Sequence, residues 1–158
     1  MRTLFAYLAI LGSAAFAGTM LCIGFAFGSY WTSLEPQAFL DWFATNNGFV
    51  ARSIPIVALP AAIGLLGSLW LAICDARARS LRITAVACMV GVWIVTVAYH
   101  FPANAAFANG SVPVGEVAST LRTWLALHAL RIALALAAAA IALRATTKSY
   151  EGLVMVDQ

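Results

Sequence analysis

Residues 121–143, LRTWLALHALRIALALAAAAIAL, decide the fold class of this chain. Their length is close to the roughly 20 apolar residues that an α-helix needs to cross a bilayer. Three of the side chains are ionisable: Arg122 at the start of the segment, and His128 and Arg131 inside it. Each of the latter two would cost several kcal/mol if it faced lipid. Such side chains almost always face a bundle interior or a wet cavity. The segment therefore predicts a transmembrane helix that carries a buried polar site.

Composition extends this conclusion to the whole chain. Of the 158 residues, 63% are hydrophobic and 9% are charged, whereas soluble domains average about 25% charged residues. Three further stretches are long and apolar enough to span a membrane: residues 4–30, 53–74 and 81–100. We therefore predict an all-α protein, a four-span transmembrane helix bundle that forms a single membrane domain over residues 1–158.

Basic residues indicate how the bundle is oriented. They cluster before the first span, between the second and third, and after the fourth, at Arg2, Arg77, Arg79, Arg82, Arg144 and Lys148. The positive-inside rule places these regions, and so both termini, in the cytoplasm. The net charge of +3 is explained by this topology. We therefore expect the lipid bilayer as a partner and no binding of nucleic acid.

The two loops between these clusters then face outward. In the first loop, Thr32 to Glu35 has the form of a capping box and Pro36 suits a helix start. A short amphipathic helix is predicted there, anchored at the membrane surface by Trp31 and Trp42 or covering the bundle's mouth, and ending near Asn46 to Gly48. In the second loop, turns are predicted at Pro102, Asn104, Asn109-Gly110 and Pro113. Pro55 and Pro60 predict a kink in the second span.

Two helical stripes carry the polar residues of the third and fourth spans. Trp124, His128 and Arg131 are spaced i, i+4 and i+7, which places them on one helix face. Trp93, Thr96 and His100 form a similar stripe on the third span. Counted from the cytoplasmic arginines, the two histidines differ in depth by about 3 Å at 1.5 Å per residue. They are expected to meet if both stripes face inward.

These residues resemble a known family. The sequence Pro102-Ala103-Asn104 after the third span, Trp124, and His128 with Arg131 as H-x-x-R on the fourth are similar to the anthrone oxygenase-like family of small membrane proteins. The resemblance implies a four-span bundle. It also implies conversion of a polycyclic anthrone to an anthraquinone with O₂, the activity of the few characterised members.

The residues themselves suit that chemistry. Oxidation by O₂ requires loss of a proton from a ring carbon that is conjugated with a carbonyl, and His128 is a candidate base. Arg131 would stabilise the enolate oxygen. The remaining candidate substrate-binding residues are Trp93, Trp124, His100, Asn104 and Trp42. The expected ligand is a lipophilic, polycyclic aromatic small molecule, and no cofactor is specified by the residues.

Three alternatives remain open from the sequence. His128 and Arg131 could pair with Glu35, Glu116 or helix-end carbonyls and hold the helices in register. His100 and His128 could bind haem or a metal, although no ligand-spacing motif supports this. The chain could also be a non-enzymatic membrane subunit, or a binder or exporter of a lipophilic compound, acting as a homo-oligomer or with a partner subunit.

The predicted topology can be tested by labelling single cysteines in intact cells, after the native cysteines are replaced by alanine. An impermeant thiol reagent should reach cysteines introduced at Asn46 and Asn109 but not at Arg79 or Lys148, because the basic cluster is held in the cytoplasm. Labelling at Arg79 from outside would overturn this orientation.

Overall fold

The computed structural model describes residues 1–74 and 76–154, and the described residues form helices without any strand. Four long helices account for nearly all of them: α1, Thr3–Ser33; α2, Pro36–Cys74; α3, Arg79–Ala108; and α4, Val117–Val154. A short 3-10 turn at Val114–Glu116 leads into α4. The predicted single domain over residues 1–158 also includes Asp75 and residues 155–158, which lie outside the described residues.

The four helices pack as a bundle in which consecutive helices contact each other and the first also contacts the last. Helix α1 packs against α2 and α4, and α3 packs against α2 and most extensively against α4. Short links force consecutive helices to run antiparallel. The predicted all-α four-helix bundle is therefore confirmed.

The outer surface of the bundle is apolar. All four helices are long and apolar enough to cross a membrane. Along α2, several large apolar side chains are more than half exposed: Ile56, Leu59, Ile63, Leu66 and Trp70. A water-soluble domain would not leave a surface of this size uncovered. The chain is thus a multi-pass integral membrane protein, and which end faces the cytoplasm stays a prediction.

Helices α1 and α2 approach each other closely through glycine. A Cβ atom added at Gly64 would lie 2.0 Å from the backbone nitrogen of Ala9, and one added at Gly12 would lie 2.5 Å from that of Ala61. Only glycine permits backbones to come this near, which is the usual basis of tight helix packing in membranes.

The prediction for the first loop is wrong in one respect. Helix α2 begins at Pro36 as expected, but it runs without a break to Cys74, so the short outer helix is not a separate element. No turn forms at Asn46 to Gly48, and Pro55 and Pro60 lie inside the helix. The weak helix propensity of glycine at Gly48 costs only about 1 kcal/mol. Burial of Phe39 and Phe43 in the core outweighs that cost.

The second predicted loop is shorter than expected. Pro102 and Asn104 belong to α3, which continues to Ala108. Pro102 follows a π-helical turn, Thr96–His100, and therefore occupies a position equivalent to a helix start, where its missing N–H costs little. The turn at Asn109-Gly110 is confirmed, and Gly110 has a φ of +69°.

The close contact between α1 and α2 generates a stability prediction. Gly64→Ala should lower the stability of the folded bundle by about 1–3 kcal/mol, because the new methyl group would meet backbone atoms that cannot move aside. Thermal unfolding in detergent, followed by circular dichroism, measures this.

Gly18→Ala is the matched control, since a Cβ atom at Gly18 meets nothing within 4 Å. Alanine is the better helix former, so this variant should unfold at the same temperature or slightly higher. Equal unfolding temperatures for both variants would contradict the close approach.

Candidate functional site

A cavity of about 340 Å³ lies inside the bundle and is lined by side chains from all four helices. This volume is at the lower end of the range for small-molecule sites. Its wall is largely apolar, with these polar groups among the lining residues: Asn47, Thr96, His100, Asn104, His128 and Arg131. Such a wall suits a lipophilic ligand with a few oxygen atoms.

The deeper part of the cavity lies well inside the length of α4. His128 is about 16 Å along α4 from its first residue, Val117, at 1.5 Å per residue. The cavity is therefore in the half of the bundle that is remote from the basic α2–α3 link. A ligand held there is surrounded by protein and lipid.

Two π-helical turns border the cavity. Thr96–His100 interrupts α3 and Ile23–Phe27 interrupts α1, and Ile23, Thr96 and His100 all line the cavity. A π turn inserts one extra residue per turn and is frequent at functional sites. The ring of His100 bonds within its own helix: its Nδ1–H donates to the carbonyl of Val95, five residues earlier, at 3.3 Å.

His128 and Arg131 form a hydrogen-bonded chain that ends on α1. His128 donates its Nε2–H to the carbonyl of Met20 at 2.9 Å. Its Nδ1 accepts a hydrogen bond from Arg131 Nη1 at 3.4 Å, and Arg131 Nη2 lies 3.4 Å from the Met20 sulfur. Because a carbonyl can only accept, these partners fix His128 as the neutral tautomer that carries its proton on Nε2.

Arg131 is a buried cation without a counter-charge. It is 6% exposed, and its hydrogen bonds go to His128 and Met20. The expected alternative pairing with Glu35 or Glu116 is not made, and among the described residues no carboxylate contacts Arg131. Its Nε has no hydrogen-bond partner. An uncompensated charge in a low-dielectric site strongly favours a ligand that supplies negative charge.

Trp124 connects the polar residues of the cavity. Its ring stacks on His128 with centroids 4.8 Å apart and an interplanar angle of 14°. It also meets the edge of His100 at 4.9 Å, and its Nε1–H donates to Asn104 Oδ1 at 2.8 Å. The ring of Trp31 packs edge-on against Trp124, with centroids 5.5 Å apart. Trp124 therefore sets the positions of both imidazoles.

The structure brings most of the predicted site residues together. His100 and His128 meet with ring centroids 5.9 Å apart. The cavity is lined by these predicted residues: Trp93, His100, Asn104, Trp124, His128 and Arg131.

Trp42 is the exception. It is absent from the cavity wall and packs against Trp31 and Phe27 at 5.5 and 5.9 Å. Trp31, expected at the membrane surface, is instead 3% exposed and lines the cavity. Which of two nearby tryptophans faces inward depends on the rotation of each helix in the bundle.

Sequence reasoning missed the residues that α1 and α2 contribute. Phe16, Met20 and Phe43 line the cavity, and the Met20 carbonyl orients His128. These residues are apolar and lie within long apolar runs. No signal in the sequence distinguishes them from core residues.

The histidines do not form a good metal or haem site. The only lone pair of neutral His128 faces the Arg131 guanidinium, and a cation at that position opposes binding of another cation. Among residues 1–74 and 76–154, no three side chains of His, Cys, Asp or Glu gather into a metal-binding group. The donor chemistry therefore does not favour the haem or metal alternative.

Comparison with protein-family models, curated proteins and solved structures found no match for this chain. The function is therefore inferred from the geometry of the cavity.

The bond between Trp124 and Asn104 generates a prediction. Asn104→Leu should lower stability by about 1–3 kcal/mol, because it leaves the buried Trp124 N–H without an acceptor. Thermal unfolding in detergent provides the measurement.

Asn47→Leu is the matched control. Asn47 also lines the cavity, but its side chain makes no hydrogen bond to any described residue. Its unfolding temperature should stay close to that of the unmodified protein. A larger loss at Asn47 than at Asn104 would contradict the structural importance of the Trp124 hydrogen bond.

Proposed function

We propose that this protein is a membrane-embedded oxygenase that converts a planar, lipophilic aromatic ketone of the anthrone type to the corresponding quinone. One observation carries the proposal: a buried arginine without an acidic partner lies beside two buried imidazoles in an aromatic-walled cavity. The resemblance of the H-x-x-R sequence at His128 and Arg131 to the anthrone oxygenase-like family supports the same activity.

The chemistry needs a base and a site for negative charge. An anthrone has a CH₂ group that is conjugated with a ketone, so loss of one proton gives an enolate. The enolate carbon transfers electrons to O₂ and forms a C–O bond, which gives a hydroperoxide once the terminal oxygen of the C–O–O⁻ group takes up a proton. Loss of water from the hydroperoxide breaks the O–O bond and the second C–H bond. One ketone and one O₂ thus become one quinone and one water.

The residues of the cavity have matching roles. Arg131 would hold the developing enolate oxygen, because a fixed cation in a dry site acts most strongly where charge forms. One of the two imidazoles would take the proton, and sequence reasoning favoured His128. Trp31, Trp93 and Trp124 would contact the planar ring system.

Access from the bilayer suits this class of substrate. Five cavity-lining residues are also exposed: Ala51, Pro55 and Leu59 on α2, and Trp93 and Phe101 on α3. The cavity thus extends to the lipid-facing side between α2 and α3. Polycyclic ketones and O₂ both partition into lipid, and both could enter there.

A binding protein for lipophilic acids is the second candidate. The uncompensated charge of Arg131 would favour the anionic form of such a compound even without any reaction. Catalysis and simple binding differ in one measurable respect, which is the consumption of O₂.

Purified protein in lipid nanodiscs should therefore consume O₂ when anthrone is added and form anthraquinone in equal amount, as measured by an oxygen electrode and by absorbance. Arg131→Leu should lower kcat/KM by roughly 10²-fold or more, the usual cost of removing an oxyanion-stabilising group. Its fold should persist, since the lost charge leaves no acidic partner unpaired.

Arg122→Leu is the matched control, because this exposed arginine lies on the same helix outside the cavity. It should retain full turnover. Binding of an anthrone without O₂ uptake by the unmodified protein would support the binding protein instead. Equal losses in both arginine variants would contradict the role of Arg131.

A further inference from the structure

The two buried histidines donate from different ring nitrogens, His100 from Nδ1 and His128 from Nε2. In His100, Nδ1–H donates to the Val95 carbonyl, so the neutral ring carries its lone pair on Nε2. That Nε2 is buried and has no hydrogen-bond partner. The Trp124 backbone is also close enough to interact electrostatically with the ring, but it makes no hydrogen bond to Nε2. His100 therefore has a free proton acceptor at the cavity.

His128 has no free acceptor. Its Nε2–H is bonded to Met20, and its Nδ1 lone pair accepts from Arg131. A proton added to Nδ1 would face the guanidinium in direct contact, and two like charges at that distance repel strongly in a low-dielectric site.

We propose that His100, through Nε2, is the base that takes the substrate's proton, and that His128 is a positioning residue that holds Arg131. This inference rests on the proposed function, and it moves the role of base from His128 to His100. In the proton transfer, the substrate C–H bond breaks, an Nε2–H bond forms on His100, and the electron pair remains in the enolate. The enolate oxygen then compensates the charge of Arg131.

Unpartnered polar atoms also define the substrate more closely. Besides the His100 acceptor, two residues of the cavity wall have a buried donor without a hydrogen-bond partner, Arg131 at Nε and Trp31 at Nε1. A complementary ligand offers more than one oxygen atom to these donors. A hydroxylated aromatic ketone has this pattern, whereas an unsubstituted hydrocarbon does not.

The tautomers can be measured directly. The chain has two histidines, so the ¹⁵N-histidine spectrum of the full-length protein in nanodiscs contains two imidazoles. Either His100→Gln or His128→Gln assigns both. His100 should carry its proton on Nδ1, and His128 should carry its proton on Nε2. A proton on Nε2 of His100, directed at the Trp124 backbone, would overturn the inference.

Kinetics separate the two roles. His100→Gln should lower kcat by about 10²-fold or more, the usual contribution of a general base. His128→Gln should keep kcat within about tenfold of the original, because one amide can donate to the Met20 carbonyl and accept from Arg131. His128→Leu lacks both groups and should lose activity that His128→Gln retains. This rescue identifies a positioning role.

Failure of the inference differs from failure of the proposed function. If the unmodified protein turns over anthrone but His128→Gln loses as much kcat as His100→Gln, the function stands and the assignment of His100 falls.

If no O₂ is consumed, the oxygenase proposal falls and with it the role of His100 as a base. A binding measurement then decides whether His100 Nε2 is the acceptor that the cavity presents to a ligand. Dihydroxyanthraquinone, which lacks the acidic C–H group, serves as the probe. It should shift the ¹⁵N resonance of His100 Nε2 more than either resonance of His128. An unchanged His100 resonance at saturation with this probe would overturn the inference.

Discussion

The charge of Arg131 is the constraint on which the rest of the site depends. A guanidinium at this depth requires hydrogen-bond partners, and it obtains them from His128 on its own helix and from Met20 on α1. The carbonyl of Met20 also binds His128. One residue of α1 thus holds both polar side chains of α4. Because none of these partners is negative, the charge remains available to a ligand.

The bundle is tight at one end and open at the other. Near the basic link, glycines allow α1 and α2 to touch through their backbones at Gly12 and Gly64. Towards the opposite end, π turns border the cavity in α1 and α3. Trp124 fills the space between His100, His128 and Asn104. The same bundle thus combines close backbone packing at one end with an aromatic-walled cavity towards the other.

The roles proposed for the two histidines follow from hydrogen bonding more than from position. Both are 1% exposed, and both line the same cavity. What separates them is the partner of each ring nitrogen: a carbonyl and a guanidinium for His128, and a single carbonyl for His100. A base needs an unoccupied lone pair. This requirement distinguishes the two rings and directs attention to His100.

The sequence by itself determined the four spans and the polar stripe, because span length and the cost of a charge in lipid are local properties. It also located the turn at Gly110, which needs a positive φ. Only the tertiary structure decided that α2 is continuous, that Trp31 rather than Trp42 lines the cavity, and that Met20 orients His128. Those outcomes depend on helix rotation and on contacts between residues far apart in the chain, where burial outweighs local turn preferences of about 1 kcal/mol.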